Sequence, residues 1–170
     1  VRALVAEQNR LAARLTSAVR AAEHRQMCEH DGLKSMKSWL RNHTRLSGRA
    51  IAQVVRNGRA LAHLPAVTAA FAAGAVTADA VDVLADLATP ENLERAKEQD
   101  IDLAEVEAAV LDVATSRPHR DLQTVVGTYL DRLDPDGTEP DPTEGRSLTL
   151  VQHPDGSWTL RGTLDAAGGE

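Results

Sequence analysis

Residues 35–61 have the sequence SMKSWLRNHTRLSGRAIAQVVRNGRAL, in which two stretches of helical spacing flank a break at residues 44–47. Ser47 is the expected N-cap of the second stretch, because its hydroxyl can accept a first-turn N–H that has no partner inside the helix. At about 100° per residue, the polar and cationic residues of this helix share one side: Arg49, Gln53 and Arg56. The apolar and small residues lie on the opposite side: Ile51, Val54, Gly58 and Leu61. The stretch therefore predicts a helix-turn-helix-like pair.

Helical spacing of apolar residues extends over most of the remaining chain, so the expected fold class is mainly α, a multi-helix domain. Aromatic residues make up 2% of the sequence, which leaves a core of aliphatic side chains and close helix contacts. Glycine and proline set the expected boundaries, since glycine closes helices and proline opens them. Further helices are predicted over residues 1–29, 65–74, 77–87, 90–115 with a possible break at 100–102, and 117–133.

The first of these helices carries an apolar stripe at steps of seven, four, three and four residues: Leu4, Leu11, Leu15, Ala18 and Ala22. Positions at such steps share one face of a helix. We expect this stripe to be the buried face of the helix. An aspartate introduced at Leu15 should then be strongly destabilising, because it would bury an unpaired carboxylate.

The C-terminal part of the chain differs in composition. Residues 134–146 are rich in Pro, Asp, Glu and Gly, which bury too little apolar surface to order themselves well, so an acidic linker is expected there. After it, apolar residues recur at even spacing around His153-Pro154-Asp155-Gly156, a pattern typical of a β-hairpin. The predicted organisation is a helical domain at 1–133, the linker at 134–146, and at 147–170 a small C-terminal β-hairpin that leads into a module missing from this sequence.

Charge is distributed unevenly along the chain. The formal net charge is −6, but residues 1–76 hold 12 Lys and Arg against 4 Asp and Glu, and residues 77–170 hold 7 against 21. The two parts therefore carry +8 and −14. No acidic residue occurs between residues 33 and 76. Such a basic N-terminal part is compatible with a nucleic-acid partner, which the overall acidity alone would disfavour.

Several functional classes are disfavoured by the sequence. No apolar run approaches the roughly 18 to 20 residues that cross a bilayer, and no secretion signal is visible, so a cytoplasmic protein without a membrane partner is expected. The single cysteine, Cys28, cannot close an internal disulfide. No Gly-rich phosphate loop, His-Glu-x-x-His motif or Gly-x-Ser-x-Gly elbow is present, so no catalytic residue is predicted.

The cationic side of the helix-turn-helix-like pair is the candidate functional site. Guanidinium groups contact phosphates or the paired acceptors of guanine, and Asn or Gln can read adenine. The candidate DNA-binding residues are Arg41, Arg45, Arg49, Gln53, Arg56 and Asn57. Two other interpretations stay open: a solvated helix surface, or a face that docks on the acidic second part of the same chain.

Two groups of residues have spacing that a metal ion could use. The first group lies near the end of the first helix, but only two of its members share a helical face: His24 and Cys28, without His30. The second is an acidic row at three- and four-residue steps, which is more typical of a solvated helix face than of Mg²⁺ ligands: Asp79, Asp82 and Asp86. We therefore expect no metal ion or other cofactor in this chain.

Short motifs in a fixed order resemble one family. They are Asp31-Gly32-Leu33-Lys34-Ser35 with Trp39-Leu40, then Leu46-Ser47, Arg59-Ala60-Leu61, Leu64-Pro65 and Ala72-Ala73-Gly74, then the run at residues 130–137 and the two hairpin strands. This order is similar to that of the domain of unknown function 222, or 13E12 repeat family, an actinobacterial domain found ahead of an HNH nuclease module. The resemblance covers nearly the whole chain. It implies a non-catalytic N-terminal module, with the divalent metal and the catalytic histidines in the HNH module that follows.

Two hypotheses follow from the residues and the resemblance together. In the first, the chain binds or positions DNA for its own C-terminal nuclease module. In the second, it is a helical protein–protein interaction or oligomerisation domain that regulates the nuclease, with the +8 and −14 parts pairing within one chain or between chains of a homo-oligomer. The folded surface bears on this choice, because acidic helices covering Arg49, Gln53 and Arg56 would remove the physical basis of the first.

Overall fold

The computed structural model describes residues 1–135, 147–153 and 156–163 and divides the chain into two units, Val1–Leu133 and Asp134–Glu170. The first unit is built from α-helices, and the described part of the second is a two-stranded antiparallel hairpin. The mainly α fold with a small hairpin is therefore confirmed. Most of the expected linker and the last seven residues lie outside the described residues.

The helices of the first unit follow one another with short connections. They are α1 (Arg2–His24), α2 (Met27–His30), α3 (Met36–His43), α4 (Gly48–Ala60), α5 (Pro65–Ala73), α6 (Ala78–Leu84), a 3₁₀ helix (Ala85–Ala88), α7 (Pro90–Glu98), α8 (Leu103–Ser116) and α9 (His119–Leu133). None of the helices in the described residues is long and apolar enough to cross a membrane.

Most helix boundaries follow the capping chemistry that the sequence predicts. The Ser47 hydroxyl accepts the N–H of Ala50 at 3.2 Å and so begins α4. Thr77 caps α6 in the same way, and Gly74 ends α5 in the left-handed conformation at φ 81°. The possible break at residues 100–102 is also confirmed, because Asp102 caps α8 through the N–H of Ala104.

The end of α1 was predicted wrongly. The sequence predicts a helix to about residue 29, whereas α1 ends at His24 and a separate turn, α2, follows. Gln26 lies between them in the left-handed region at φ 54°. The chain changes direction at this residue, and Cys28, in the turn that follows, is buried.

The buried face of α1 was also predicted wrongly. Its buried residues are Asn9, Ala13, Thr16 and Val19. The expected stripe instead lies toward solvent, with Leu4 75%, Leu11 55% and Leu15 44% exposed. Small residues lie on the packed side because α4 and α5 approach α1 closely there: a Cβ on Gly58 would lie 3.3 Å from the carbonyl O of Thr16. Bulky leucines do not fit such a close helix contact.

Two apolar clusters hold the first unit together. The larger is formed by α5, α6, the 3₁₀ helix, α8 and α9 around Leu64, Phe71 and Leu84. The smaller joins α1, α3 and α4 through Val19, Met36, Leu40, Ile51, Val54 and Val55. Because α4 contacts α1, α3, α6 and the 3₁₀ helix, it connects the two clusters.

Two buried polar contacts position helix ends within this unit. The Asn9 side-chain amide donates to the carbonyl O of Gly74 at 3.1 Å, which ties α1 to the end of α5. The Glu107 carboxylate, 3% exposed, accepts the N–H of Val67 at 2.8 Å. A carboxylate at this position satisfies a first-turn donor of α5 and is favoured by the helix dipole.

The hairpin of the second unit pairs β1 (Ser147–Gln152) with β2 (Trp158–Thr163) in an antiparallel register that places Leu150 opposite Leu160. The N–H of His153 donates to the carbonyl O of Ser157 at 2.8 Å and closes the turn. Gly156 has φ 83°, a conformation that glycine adopts without steric cost. Residues 154 and 155 lie outside the described residues.

Candidate nucleic-acid interface

The helix-turn-helix-like pair is formed by α3, the connection at residues 44–47, and α4. Ser35 caps α3 by accepting the N–H of Ser38 at 3.2 Å. At the other end of α3, the Thr44 hydroxyl donates to the carbonyl O of Leu40 at 2.6 Å. The predicted apolar side of α4 is confirmed, since Ile51, Val54 and Gly58 are buried and Leu61 is partly buried.

Three of the candidate arginines lie on the surface of this pair. Arg41, Arg45 and Arg49 are exposed, and none of them forms an ion pair with another described residue. Lys34 and Lys37 are also exposed, and neither forms an ion pair with another described residue. We call these five side chains the basic surface: Lys34, Lys37, Arg41, Arg45 and Arg49.

The geometry of α3 and α4 brings part of the basic surface together. Lys37 and Arg41 are one turn apart on an exposed side of α3, about 100° around the helix from the buried Met36 and Leu40. Lys37 and Arg49 line the same groove. Arg49 lies in the first turn of α4, where the helix dipole adds positive potential. An anion at this end of the pair would meet several cations at once.

A groove of about 820 Å³ runs beside α4. The first wall contains Lys37, Arg49 and the partly buried Gln53. The opposite wall is formed by α6, the 3₁₀ helix and α7, which belong to the acidic part of the chain. It carries apolar Pro90 and Leu93 and acidic Asp82 and Glu94. The groove is therefore basic at the N-terminal half of α4 and of mixed charge farther along.

Arg56 is bound to the acidic part of the chain. Its guanidinium lies 2.5 Å from Asp82 Oδ1 and 2.8 Å from Asp86 Oδ1, and it also donates to the carbonyl O of Asp82 at 2.7 Å. Burial raises the pKa of Asp86, and nearby Asp82 adds to this shift while Arg56 opposes it. Two members of the acidic row are thus counter-ions of Arg56, which makes a role of this arginine in DNA contact weaker than the sequence suggested.

Asn57 is not on the surface. It is 4% exposed, and its Oδ1 has no hydrogen-bond partner among the described residues. At 100° per residue it lies between the two sides of α4, about 80° from Arg49 and about 40° from Leu61. The expectation that it contacts DNA is therefore corrected, since a buried amide cannot reach a base edge.

A second ion pair beside the site was missed in the sequence. Arg59 donates to both carboxylate oxygens of Glu23, and Arg20 donates to the same carboxylate at 3.1 Å. The hydrogen bond from Arg59 lowers the pKa of Glu23, although partial burial opposes it. Arg59 and Glu23 are 36 residues apart, so helical spacing gave no signal for this contact.

Trp39 joins α3 to Asp31, the residue that ends α2. Its indole N–H donates to Asp31 Oδ2 at 2.5 Å, and its ring stacks on His43 with centroids 4.4 Å apart. His43 Nδ1 lies 2.9 Å from the carbonyl O of Trp39. These contacts hold the segment that carries Lys37 and Arg41, and neither was predicted.

The fold separates the residues of the first group with metal-like spacing. Cys28 is buried, whereas His24 and His30 are exposed and belong to different helices. Within the described ranges, no three His, Cys, Asp or Glu side chains are close enough to hold a metal ion. The arrangement on α3 and α4 can neutralise and orient an anion.

Comparison with known proteins identifies the chain at the level of its family. No curated protein and no solved structure gave a match. A family model described as "Domain of unknown function (DUF222)" matches residues 1–170. The chain therefore belongs to the DUF222 family.

Proposed function

We propose that this chain binds duplex DNA through the basic surface and positions it for a nuclease. The observation that supports the proposal is that five exposed cations, four on the helix-turn-helix-like pair and Lys34 just before it, have no acidic partner among the described residues. Unpaired cations on folded proteins favour a polyanion, because each phosphate contact releases condensed counterions.

The N-terminal half of α4 is the proposed contact with bases. In helix-turn-helix proteins the N-terminal residues of the second helix reach the base edges. Arg49 and Gln53 occupy this half of α4 and line the groove, whereas Arg56 is one to two turns farther along and is bound to Asp82 and Asp86. We therefore assign phosphate contacts to Lys34, Lys37, Arg41 and Arg45, and base contacts to Arg49 and Gln53.

Catalysis is assigned to a different module. The resemblance noted in the sequence implies an HNH nuclease in the same actinobacterial, cytoplasmic protein, with a divalent metal held there. Phosphodiester hydrolysis needs a metal-held phosphate and an activated water, and no described residue grouping offers both. In this proposal the present chain contributes affinity and orientation to the nuclease.

The test is a titration of duplex DNA at several salt concentrations. With four phosphate contacts, the slope of log K against log salt should be about −4, because each contact contributes about −0.9. The double variant Arg45→Ala/Arg49→Ala should flatten this slope by roughly one unit, because Arg45 is its phosphate contact, and should weaken binding further, because Arg49 is its base contact. A parallel plasmid assay with Mg²⁺ or Mn²⁺ should show no nicking.

The matched control for this titration lies on the same helix. Arg56→Ala also removes one arginine from α4, but its guanidinium is bound to Asp82 and Asp86. It should lower the thermal stability and leave the salt slope unchanged. Equal slopes for the wild type and the Arg45→Ala/Arg49→Ala variant, or no binding at low salt, would exclude this surface as the DNA contact.

A protein-interaction role is the second candidate, and two specific observations favour it. Arg56 shows that the cationic side of α4 can pair with the acidic part of the chain. The outer face of α1 also exposes several leucines. If the chain has this protein-interaction role, the DNA titration should show no binding. The measurable activity is then association between chains or with the nuclease module.

A further inference from the structure

The outer face of α1 exposes the three leucines of that helix. Val1, Leu4, Leu11 and Leu15 are all exposed, while the packed face contains Asn9, Ala13, Thr16 and Val19. Exposed single leucines are common, but a row of them along one helix marks a contact surface. Within the first unit, the helices that contact α1 pack against its opposite side and, near its end, against the partly buried Ala22, so the exposed leucines have no cover from this unit.

The row has the spacing of a two-helix seam. The exposed residues 4, 8, 11, 15 and 18 follow one another at alternating steps of four and three: Leu4, Gln8, Leu11, Leu15 and Ala18. This is the period at which two helices pack side chains between each other along their length. The occupant that the spacing fits is another helix.

Charges beside the row favour a second copy of α1. Glu7 and Arg14 flank the row on the same side and are seven residues apart. In an antiparallel pair related by a two-fold axis, the same flank of each helix lies beside that of the other. Glu7 then faces Arg14 of the second copy, and Arg14 faces Glu7 of the second copy. Within one chain, Glu7 pairs with Arg10 at 2.6 Å, whereas Arg14 has no ion-pair partner among the described residues.

We infer that the chain forms a homodimer in which two α1 helices pack antiparallel along this row. With Leu4 opposite Leu15 of the second copy, Gln8 lies opposite Leu11 of the second copy, and the pattern repeats by symmetry. The same register brings Glu7 and Arg14 of the second copy to within one turn along the axis. A parallel pair would instead place Glu7 and Arg14 beside residues 12 and 19 of the second copy, which are apolar. The inference does not depend on DNA binding.

The first test is the association state of the whole chain by sedimentation velocity. The wild type should dimerise reversibly, and Leu11→Lys/Leu15→Lys should weaken the dimer by roughly a hundredfold, because it would bury two ammonium groups. Val125→Lys is the matched control, since Val125 is also an exposed aliphatic side chain on a helix, α9. A wild type that stays monomeric at roughly 1 mM overturns the inference. So does a double variant that dimerises as tightly, which would indicate another surface such as the exposed Leu150 and Leu160.

The second test addresses the orientation and does not depend on the lysine variant folding. Glu7→Lys and Arg14→Glu should each weaken the dimer, and the combined variant should restore it. In a Cys28→Ser background, mixing Leu4→Cys with Leu15→Cys under mild oxidation should give a disulfide-linked dimer, while each variant alone should not. Self-linking of Leu4→Cys alone, or failure of the combined charge variant to recover association, would overturn the antiparallel arrangement.

Discussion

At the scale of single residues, Gly74 is the position with the least freedom. Its φ of 81° is unfavourable for other residues, and an added Cβ would lie 2.5 Å from the carbonyl O of Ala6. Asn9 also binds the Gly74 carbonyl, so the backbone there cannot move away without losing a buried hydrogen bond. The close contact between α1 and the end of α5 therefore requires a residue without a side chain at position 74.

Gly74→Ala should consequently destabilise the chain by about 3 kcal/mol, from the left-handed conformation and the steric overlap together. Gly127→Ala is the matched control. Gly127 lies inside α9 with nothing within 4 Å of an added Cβ, so alanine should stabilise by about 0.5–1 kcal/mol. Urea unfolding of both variants measures the difference. Equal effects would mean that the close approach to Ala6 does not exist.

Residues that act on their own neighbours were predictable, and residues that depend on distant partners were not. Ser47, Thr77 and Gly74 cap helices through contacts a few positions away, and their roles were read correctly from the sequence. Asn57 was assigned to the surface by its residue type. Its burial depends on the packing of α4 between other helices, and residue type carries no information about that packing.

At the scale of elements, α1 shows why an apolar stripe does not identify the packed side of a helix. A stripe predicts that some partner covers it, but the partner can belong to the same chain or to another. In α1 the intramolecular contacts require small residues, and the leucines remain outside. Sequence therefore predicted the helix and its stripe but assigned the stripe to the wrong contact.

This correction changes the expected effect of aspartate substitutions in α1. Val19→Asp should destabilise by about 3–5 kcal/mol, because Val19 is 5% exposed within the smaller apolar cluster. Leu15→Asp should cost less than about 1 kcal/mol, because its carboxylate can stay in water. Chemical unfolding should be measured at the lowest usable concentration, so that association contributes little. A larger loss for Leu15→Asp would restore the original interpretation of the stripe.

At the scale of the whole molecule, the uneven charge distribution is partly neutralised by folding. Arg56, in the basic part, binds Asp82 and Asp86 in the acidic part. The sequence predicted the asymmetry and named docking between the two parts as one interpretation. It could not predict which residues meet, because 26 and 30 residues separate the partners and several cations were equivalent by spacing. The five cations of the basic surface have no ion-pair partner among the described residues.

The stability of the whole molecule should depend on pH through Glu23. Its pKa is lowered below the ordinary value of 4.5 by Arg59, so the folded state favours the ionised form. This contribution is complete above about pH 4.5 and is lost as the pH falls through the lowered pKa. Glu23→Gln should cost about 1 kcal/mol at neutral pH, a modest value because Arg59 is largely exposed.

Thermal unfolding of the wild type and Glu23→Gln at several pH values checks this dependence. The difference between their melting temperatures should shrink from about pH 6 to about pH 3. Asp86 gives the opposite pH dependence. Its pKa is raised, so its contribution to the stability of the folded state falls as the pH rises through the raised pKa. Glu105→Gln is a suitable control, because Glu105 is an exposed carboxylate on α8. A melting-temperature difference independent of pH would contradict the assigned pKa shift of Glu23.

The contacts of Trp39 give the proposed DNA surface an optical reporter of its own. The sequence contains two tryptophans, and Trp39 is the one on α3, two residues before Arg41. The carboxylate of Asp31 accepts its indole N–H, and the imidazole of His43 stacks on its ring. These two contacts set the wavelength and the intensity of its fluorescence emission. Phenylalanine in place of Trp158 leaves Trp39 as the only indole emitter. Events at the α3–α4 turn then become visible in the unlabelled protein, on the nanosecond timescale of emission as well as at equilibrium.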